Sequence, residues 1–219
     1  MGSISVCRKP PHAKTFGVEL ECYPPHETLR SLEALERARK NHLGFWEVTH
    51  DGSLGYDGRE FVSQPMPYDM MVKQIKKIHQ SLGGWKTKND CGLHIHVSRK
   101  MWSDKRRYTF DNFLYYKTSH VDRINWFGRE SRYARPWPGD TGLFEKFRAI
   151  NLCHPATFEF RVWNAGDLEW TLEALRRTRA IVLHQGEYTV EWMNKLCNVK
   201  SEQQPASDLG TLIRRRVSR

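Results

Sequence analysis

The sequence predicts an α+β fold with a mostly antiparallel sheet. Three segments, at 16–23, 91–97 and 158–163, alternate apolar and polar residues with the period of two that is typical of strands. Other segments carry apolar residues at every third or fourth position, which is the pattern of helices buried on one side. At least five short strands and four or five helices, in mixed order, favour hairpins over a strict alternation of strand and helix.

The length and composition of the chain favour a single domain. Its 219 residues, of which 39% are hydrophobic, can bury one sizeable core. We expect this domain at 15–197, between a short arm at 1–14 and a basic flexible tail at 198–219. The chain has no run of about 18 apolar residues, and the arm lacks the apolar centre of a signal peptide. We therefore expect a cytoplasmic protein that makes no membrane contact.

The first half of the chain predicts three strands and two helices. A strand at 15–23 ends at a pair of prolines, and a helix with one buried stripe follows at 27–41. Strands at 45–51 and 59–63 are joined by a glycine-rich turn and form a hairpin. A second helix, marked by apolar residues between 71 and 82, ends at two glycines.

The second half predicts a strand, a helix, an irregular segment, a hairpin and two final helices. In chain order these elements cover 91–97, 103–117, 119–142, 147–152 with 156–163, 168–185 and 187–197. Ser103 or Asp104 can cap the first of these helices. The segment at 119–142 is rich in arginine and tryptophan and is interrupted by prolines, so we expect a loop that holds function or moves.

One face of the predicted sheet is apolar and the other carries ionisable side chains. The core-facing set is Val18, Leu20, Cys22, Leu93, Ile95, Val97, Phe158, Phe160 and Val162. The polar set is Glu19, Glu21, Glu60, His94, His96, Glu159 and Arg161. Taken alone, Glu19 with Glu21 is more often a solvated surface, Glu159 with Arg161 is usually a weak surface ion pair, and His94 with His96 is as often structural as ligating. Three strands with the same alternation are hard to obtain as independent accidents.

This polar set predicts a site for metal ions and phosphate. Carboxylates that converge on one surface repel each other and lose hydration unless cations neutralise them. Several carboxylates with one imidazole make a hard, oxygen-rich site, which favours Mg²⁺ or Mn²⁺ over Zn²⁺. Arg161, beside Glu159 on the same strand, can hold a phosphate against such ions through a bidentate contact.

The ordered motifs of the chain resemble those of the amidoligases, which belong to the carboxylate–amine ligase superfamily of glutamine synthetase and glutamate–cysteine ligase. The motifs are Gly17-Val18-Glu19-Leu20-Glu21, Asp51-Gly52-Ser53 with Arg59-Glu60-Phe61-Val62-Ser63, Cys91-Gly92-Leu93-His94-Ile95-His96-Val97, Asn151-Leu152, and Thr157-Phe158-Glu159-Phe160-Arg161. The resemblance covers roughly residues 15 to 185. It implies a curved sheet like that of the glutamine synthetase catalytic domain, with helices packed on the outer face and ATP entering one end of the funnel.

The resemblance also implies a ligand set. Its metal ligands, for two or more Mg²⁺ or Mn²⁺ ions, are Glu19, Glu21, Glu60, His94 and Glu159. Its candidates for contact with ATP and the transferred phosphoryl group are Arg161, Arg148 and His96. The chain is much shorter than glutamine synthetase and has no room for that enzyme's separate N-terminal domain, so the ring-like assembly does not carry over.

The implied reaction has two steps. A substrate carboxylate attacks the γ-phosphate of ATP to give an acyl phosphate, and an amine then displaces phosphate and forms the amide. Arg161 and His96 are the expected catalytic groups at the phosphoryl group. Asp51 or Glu60 is the candidate for holding the ammonium form of the amine and accepting its proton. Arg132 and Arg135 are candidates for recognising the substrate carboxylate, on charge and position alone.

Two functions of other classes stay open at this point. A cupin-like metalloenzyme could bind Zn²⁺ or Fe²⁺ through His94, His96 and Glu60. A nucleic-acid-binding protein could use the net charge of +10, with the arginine and tryptophan segment stacking bases and the basic tail neutralising phosphates. The identities of the acid and the amine, and the oligomeric state, do not follow from the sequence.

Overall fold

The strands of the protein form one antiparallel sheet. The computed structural model describes residues 14–24, 45–49, 54–55, 57–89, 91–128, 148–152 and 154–198. Within these residues the six strands are β1 (Phe16–Cys22), β2 (Trp46–Thr49), β3 (Arg59–Ser63), β4 (Gly92–Ser98), β5 (Ile150–Asn151) and β6 (Thr157–Asn164). Their order in the sheet is β2-β3-β1-β4-β6-β5. The five helices are α1 (Tyr68–Leu82), α2 (Asp104–Tyr116), α3 (His120–Phe127), α4 (Leu168–Leu183) and α5 (Val190–Cys197). The predicted α+β class and antiparallel sheet are therefore confirmed.

The register of the central strands brings the ionisable residues together. Glu19 of β1 lies opposite His94 of β4, and Glu21 lies opposite Glu60 of β3. His96 lies opposite Glu159 of β6. Because directly opposed residues of an antiparallel pair project from the same side of the sheet, these side chains share one face. This is the polar face that the period-two pattern predicts.

The other face of the sheet forms the core. Val18, Ile95 and Phe160 are at most 1% exposed. The indole of Trp102, just before α2, stacks on the Phe160 ring with 5.2 Å between ring centroids, and Phe110 of α2 packs beside it. Burial of an aromatic side chain of this size contributes about 1.5 to 3 kcal/mol. This aromatic layer fixes the sheet beneath the helices.

The ends of α1 and α2 follow the predicted signals. Gly83 follows the last residue of α1 in the left-handed conformation, with φ of 67°, which glycine adopts without a steric penalty. Ser103 precedes α2, and its hydroxyl accepts a hydrogen bond from the Arg106 backbone N–H. Among the described residues, every helix is too short or too polar to cross a bilayer.

The segment at 119–142 is not irregular throughout, contrary to the sequence prediction. Its first part is α3, which begins with a capping box in which Ser119 and Asp122 bond to each other's backbone N–H groups. Trp126 and Phe127 on this helix are at most 1% exposed. The prediction was wrong because the Ser119–Asp122 capping box starts a helix that is complete before the prolines of the segment are reached. The rest of that segment and the predicted helix at 27–41 lie outside the described residues.

A β-bulge interrupts the pairing of β4 with β6. Leu93 pairs with Trp163 and Ile95 with Phe160, so Arg161 and Val162 together oppose His94. The bulge shifts the alternation by one residue, so Trp163 takes the core-facing position opposite Leu93 that simple alternation gives to Val162. The Trp163 indole donates a 2.8 Å hydrogen bond to the hydroxyl of Thr178 on α4.

Candidate metal centre

Glu19 lies at the centre of the polar face, between two imidazoles. One carboxylate oxygen, Oε2, is 3.1 Å from Nδ1 of His94, and the other, Oε1, is 2.9 Å from Nε2 of His96. The alternation of β4 places both histidines on this face, and the pairing of β1 with β4 places Glu19 directly across from His94 and diagonal to His96, which is opposite Gly17. The strand register alone thus assembles the middle of the site.

Two groups of three side chains can each hold a metal ion, and both contain Glu19. The first group is Glu19, His96 and Glu159, and the second is Glu19, Glu60 and His94. Within each group the ligand atoms lie within 4.8 Å of one another, which is the spacing of oxygen and nitrogen ligands around one divalent cation. Each group has two carboxylates and one imidazole. A shared carboxylate is the arrangement expected for two neighbouring ions.

Glu159 is held in place from both sides of its carboxylate. Oε1 accepts a 2.6 Å hydrogen bond from Nη1 of Arg161, and Oε2 accepts one from the side-chain amide of Asn151. Oε1 also lies 3.5 Å from Nδ1 of His94. Asn151 stands directly opposite Glu159 in the pairing of β5 with β6, so the register again sets the contact.

Asn151 and Thr157 contribute to the site, and neither is among the site residues predicted from the sequence. Thr157 places its hydroxyl 3.2 Å from Nδ1 of His96. When this contact fixes the proton on Nδ1, the Nε2 lone pair is free for a cation. The place of Asn151 in the predicted hairpin, opposite Glu159, was the signal that could have shown its role.

Burial and charge act in opposite directions on Glu19 and His96. Burial raises the pKa of Glu19, but the hydrogen bonds and charges of His94 and His96 outweigh burial and hold this pKa far below its ordinary value. Burial lowers the pKa of His96, but its hydrogen bond to Glu19 and the charges of Glu19 and Glu159 outweigh burial and raise this pKa. The carboxylates of this face therefore draw positive charge toward themselves, from a proton or from a metal ion.

Glu21 and Glu60 differ in their relation to the two groups of three. Glu60 accepts a 3.1 Å hydrogen bond from the Thr49 hydroxyl and belongs to the second group of three. Glu21 is buried, with one oxygen accepting the Gly92 backbone N–H and the other 3.9 Å from Nε2 of His94. Glu21 belongs to neither group, and its role as a ligand stays a prediction.

The remaining predicted residues are those expected to contact substrates, ATP or nucleic acid. Arg148 is buried two residues before β5, and its role in ATP binding stays a prediction. Asp51, Arg132 and Arg135 lie outside the described residues, as does the basic tail from residue 199 onward. Trp126 cannot stack on bases as the nucleic-acid alternative requires, because it is fully buried and its indole donates to the Asn194 side chain at 2.7 Å.

The chemistry of these donors suits a hard divalent cation. The donors are mostly carboxylate oxygens, and Mg²⁺ and Mn²⁺ prefer such ligands. No protein-family model matches the chain, and no curated protein matches it.

Proposed function

We propose that this protein is an ATP-dependent carboxylate–amine ligase with a glutamine synthetase-like catalytic sheet. The observation that carries the proposal is the position of Glu19, which contacts both histidines and belongs to two potential metal groups on one antiparallel face. A pair of adjacent ions suits phosphoryl transfer, in which several negative charges must be brought together. The motif order that resembles the amidoligases supports the same class.

The proposed cofactors are ATP and two or more Mg²⁺ or Mn²⁺ ions. Glu19, His96 and Glu159 would hold one ion, and Glu19, Glu60 and His94 would hold another. When bound, the ions would offset the charge of the ATP phosphates. Arg161, whose side chain is 21% exposed, would bind an oxygen of the transferred phosphoryl group from its position beside Glu159.

The amide-forming step needs a base and a site for each substrate. The amine must lose a proton before it attacks the acyl phosphate, and we assign that proton to Glu60 or Asp51. We assign the substrate carboxylate to Arg132 and Arg135, and assign the ATP phosphates to Arg148 together with Arg161 and His96. The proposal places this ligase in the cytoplasm and leaves the basic tail as a contact for an anionic partner or nucleic acid.

An assay of ATP turnover tests the proposal. The protein is incubated with ATP, Mg²⁺, a panel of carboxylic acids and hydroxylamine, which captures an acyl phosphate as a hydroxamate. We expect ADP release that requires Mg²⁺, and its loss in Glu159→Gln and His94→Asn. Glu169→Gln, which changes an exposed carboxylate on α4, is the matched control and should keep full activity. Full turnover in the two site variants, with folding intact, would contradict the proposal.

One observation favours a second candidate, a metalloenzyme that uses zinc or iron. His94 and His96 contact different oxygens of Glu19, and two imidazoles with one carboxylate is a ligand set found around Fe(II) and Zn²⁺, although each of the two groups of three contains only one imidazole. Elemental analysis of the purified protein separates the candidates. Tightly bound zinc or iron in a stoichiometric amount supports the metalloenzyme, whereas weakly held magnesium or manganese supports the ligase.

A further inference from the structure

His154 is an exposed histidine that the proposed ligase chemistry does not use. It lies in the connection between β5 and β6, at the edge of the group formed by Glu19, His96 and Glu159. Its ring stands nearly perpendicular to the His96 ring, at 88°, with 6.5 Å between ring centroids. A ligand bound at His96 therefore lies within reach of His154.

The backbone fixes which nitrogen of His154 carries the hydrogen. The Ala156 backbone N–H lies 3.2 Å from Nδ1 and donates to it, so Nδ1 presents a lone pair. A neutral imidazole with an accepting Nδ1 carries its hydrogen on Nε2. Across the described residues, no side chain or backbone group accepts a hydrogen bond from that Nε2–H.

Arg99 holds the His154 connection in place and supplies positive charge. Its Nη2 donates to the backbone oxygens of Leu152, at 3.1 Å, and His154, at 3.4 Å. Its guanidinium also lies over the Phe158 ring, 4.6 Å from the centroid. The Arg99 side chain remains 31% exposed, and its Nη1 donates to Oδ1 of the exposed Asp104 at 3.3 Å, so part of its charge is already offset at this edge of the site.

We propose that His154 is the Nε2–H donor of an oxyanion subsite beside His96, which takes a phosphoryl or carboxylate oxygen of a substrate. The substrate role rests on the proposed function, but the binding of an anion does not. The two sources of the oxygen share the same chemistry, a negatively charged acceptor, and separate titrations with phosphate and acetate distinguish them.

The test is a titration of the full chain with inorganic phosphate and, separately, with acetate, each with and without Mg²⁺. The NMR resonances of the His154 ring report the binding. We expect saturable shifts of these resonances with at least one of the two anions. His154→Ala and His154→Asn should weaken binding of that anion about tenfold, measured by calorimetry. His154→Gln, whose amide N–H reaches the position of Nε2–H, should bind within about threefold of the original protein.

A matched control and two outcomes decide the proposal. His120→Ala, which removes another exposed histidine, should leave anion binding unchanged. Equal anion affinity in His154→Ala, or a loss in His154→Gln as large as that in His154→Ala, would overturn the subsite. Failure of Mg²⁺ to bind, with the phosphate response at His154 retained, would instead contradict the metal centre and leave the subsite standing.

Discussion

The two faces of β4 and β6 differ in what their side chains provide. On the helix-covered face, Ile95 and Phe160 are fully buried, and the Trp102 ring packs on Phe160. On the opposite face of these strands, His96 and Glu159 lie across from each other and take part in a network of hydrogen bonds and ion pairs. One backbone register serves both faces. The first face supplies stability by burying apolar surface, and the second supplies groups that bind charge.

The largest expected effect is on the helix-covered face. Phe160→Ala removes a fully buried ring that Trp102 and Phe110 contact, so it should lower the free energy of unfolding by about 3 to 5 kcal/mol. Urea denaturation measures this loss. Tyr116→Ala, on a residue that is 64% exposed, is the control and should stay within about 0.5 kcal/mol of the original protein. A comparable loss in both variants would show that the two positions do not differ in packing.

The second prediction concerns the polar face. Mn²⁺ at about 100 times its dissociation constant should stabilise the protein by about 2.7 kcal/mol, because the ion binds the folded chain. Glu19→Gln removes the carboxylate shared by both metal groups and should abolish this stabilisation. Melting curves with and without Mn²⁺ measure the effect, with Glu169→Gln as the control. An undiminished response in Glu19→Gln would place the ion elsewhere.

The third prediction is that metal affinity depends on pH through His96. The pKa of His96 is raised, so its protonated form persists above the ordinary titration range and competes with a cation at Nε2. Mn²⁺ affinity should therefore rise up to tenfold per pH unit as pH increases through this pKa, and level off above it. Titrations between about pH 5.5 and 8.5 measure it. His96→Gln should flatten the profile, and an equally steep profile in that variant would exclude His96.

The ion pair between Glu19 and His96 makes the stability of the metal-free protein depend on pH. The pKa of Glu19 is lowered, so its stabilising contribution is present above its unfolded pKa and is lost as pH falls toward the folded value. The pKa of His96 is raised, so its contribution is complete below its unfolded pKa and is lost as pH rises through the folded value. In the metal-free protein, the stabilisation from this pair should therefore decrease both at low pH and at high pH. In the metal-bound protein, stability should decrease only at low pH.

The regular parts of the fold could be predicted from the sequence, and the irregular parts could not. The period-two pattern of β1, β4 and β6 shows which side chains share a face, because alternation is a local property of a strand. The bulge at Arg161 and Val162 is set by the pairing of two distant strands, so it has no comparable local signal. The capping box of α3 has a local signal in Ser119 and Asp122, but the segment was predicted as irregular from its arginine, tryptophan and proline content.

The site divides in the same way. Glu19, His94 and Glu159 were predicted because strands carry them at fixed spacing, and the structure brings them together. The supporting contact from Asn151 could be predicted only from the position of the short strand β5 beside β6. Only two residues of β5 pair with β6. The positions of main site residues thus follow from periodicity, whereas the positions of their supporting residues follow from tertiary register.

The smallest expected effect is at that supporting contact. Asn151→Ala removes the amide that donates to Oε2 of Glu159 and frees the carboxylate to rotate, so Mn²⁺ affinity should fall about tenfold. Asn151→Asp is the informative partner variant, because it keeps the size of the side chain but replaces the amide donor with a second carboxylate beside Glu159. Its effect on Mn²⁺ affinity should depend on pH, unlike that of Asn151→Ala. Calorimetric titration of Mn²⁺ measures both. Unchanged affinity in Asn151→Ala would show that Arg161 alone holds Glu159 in position.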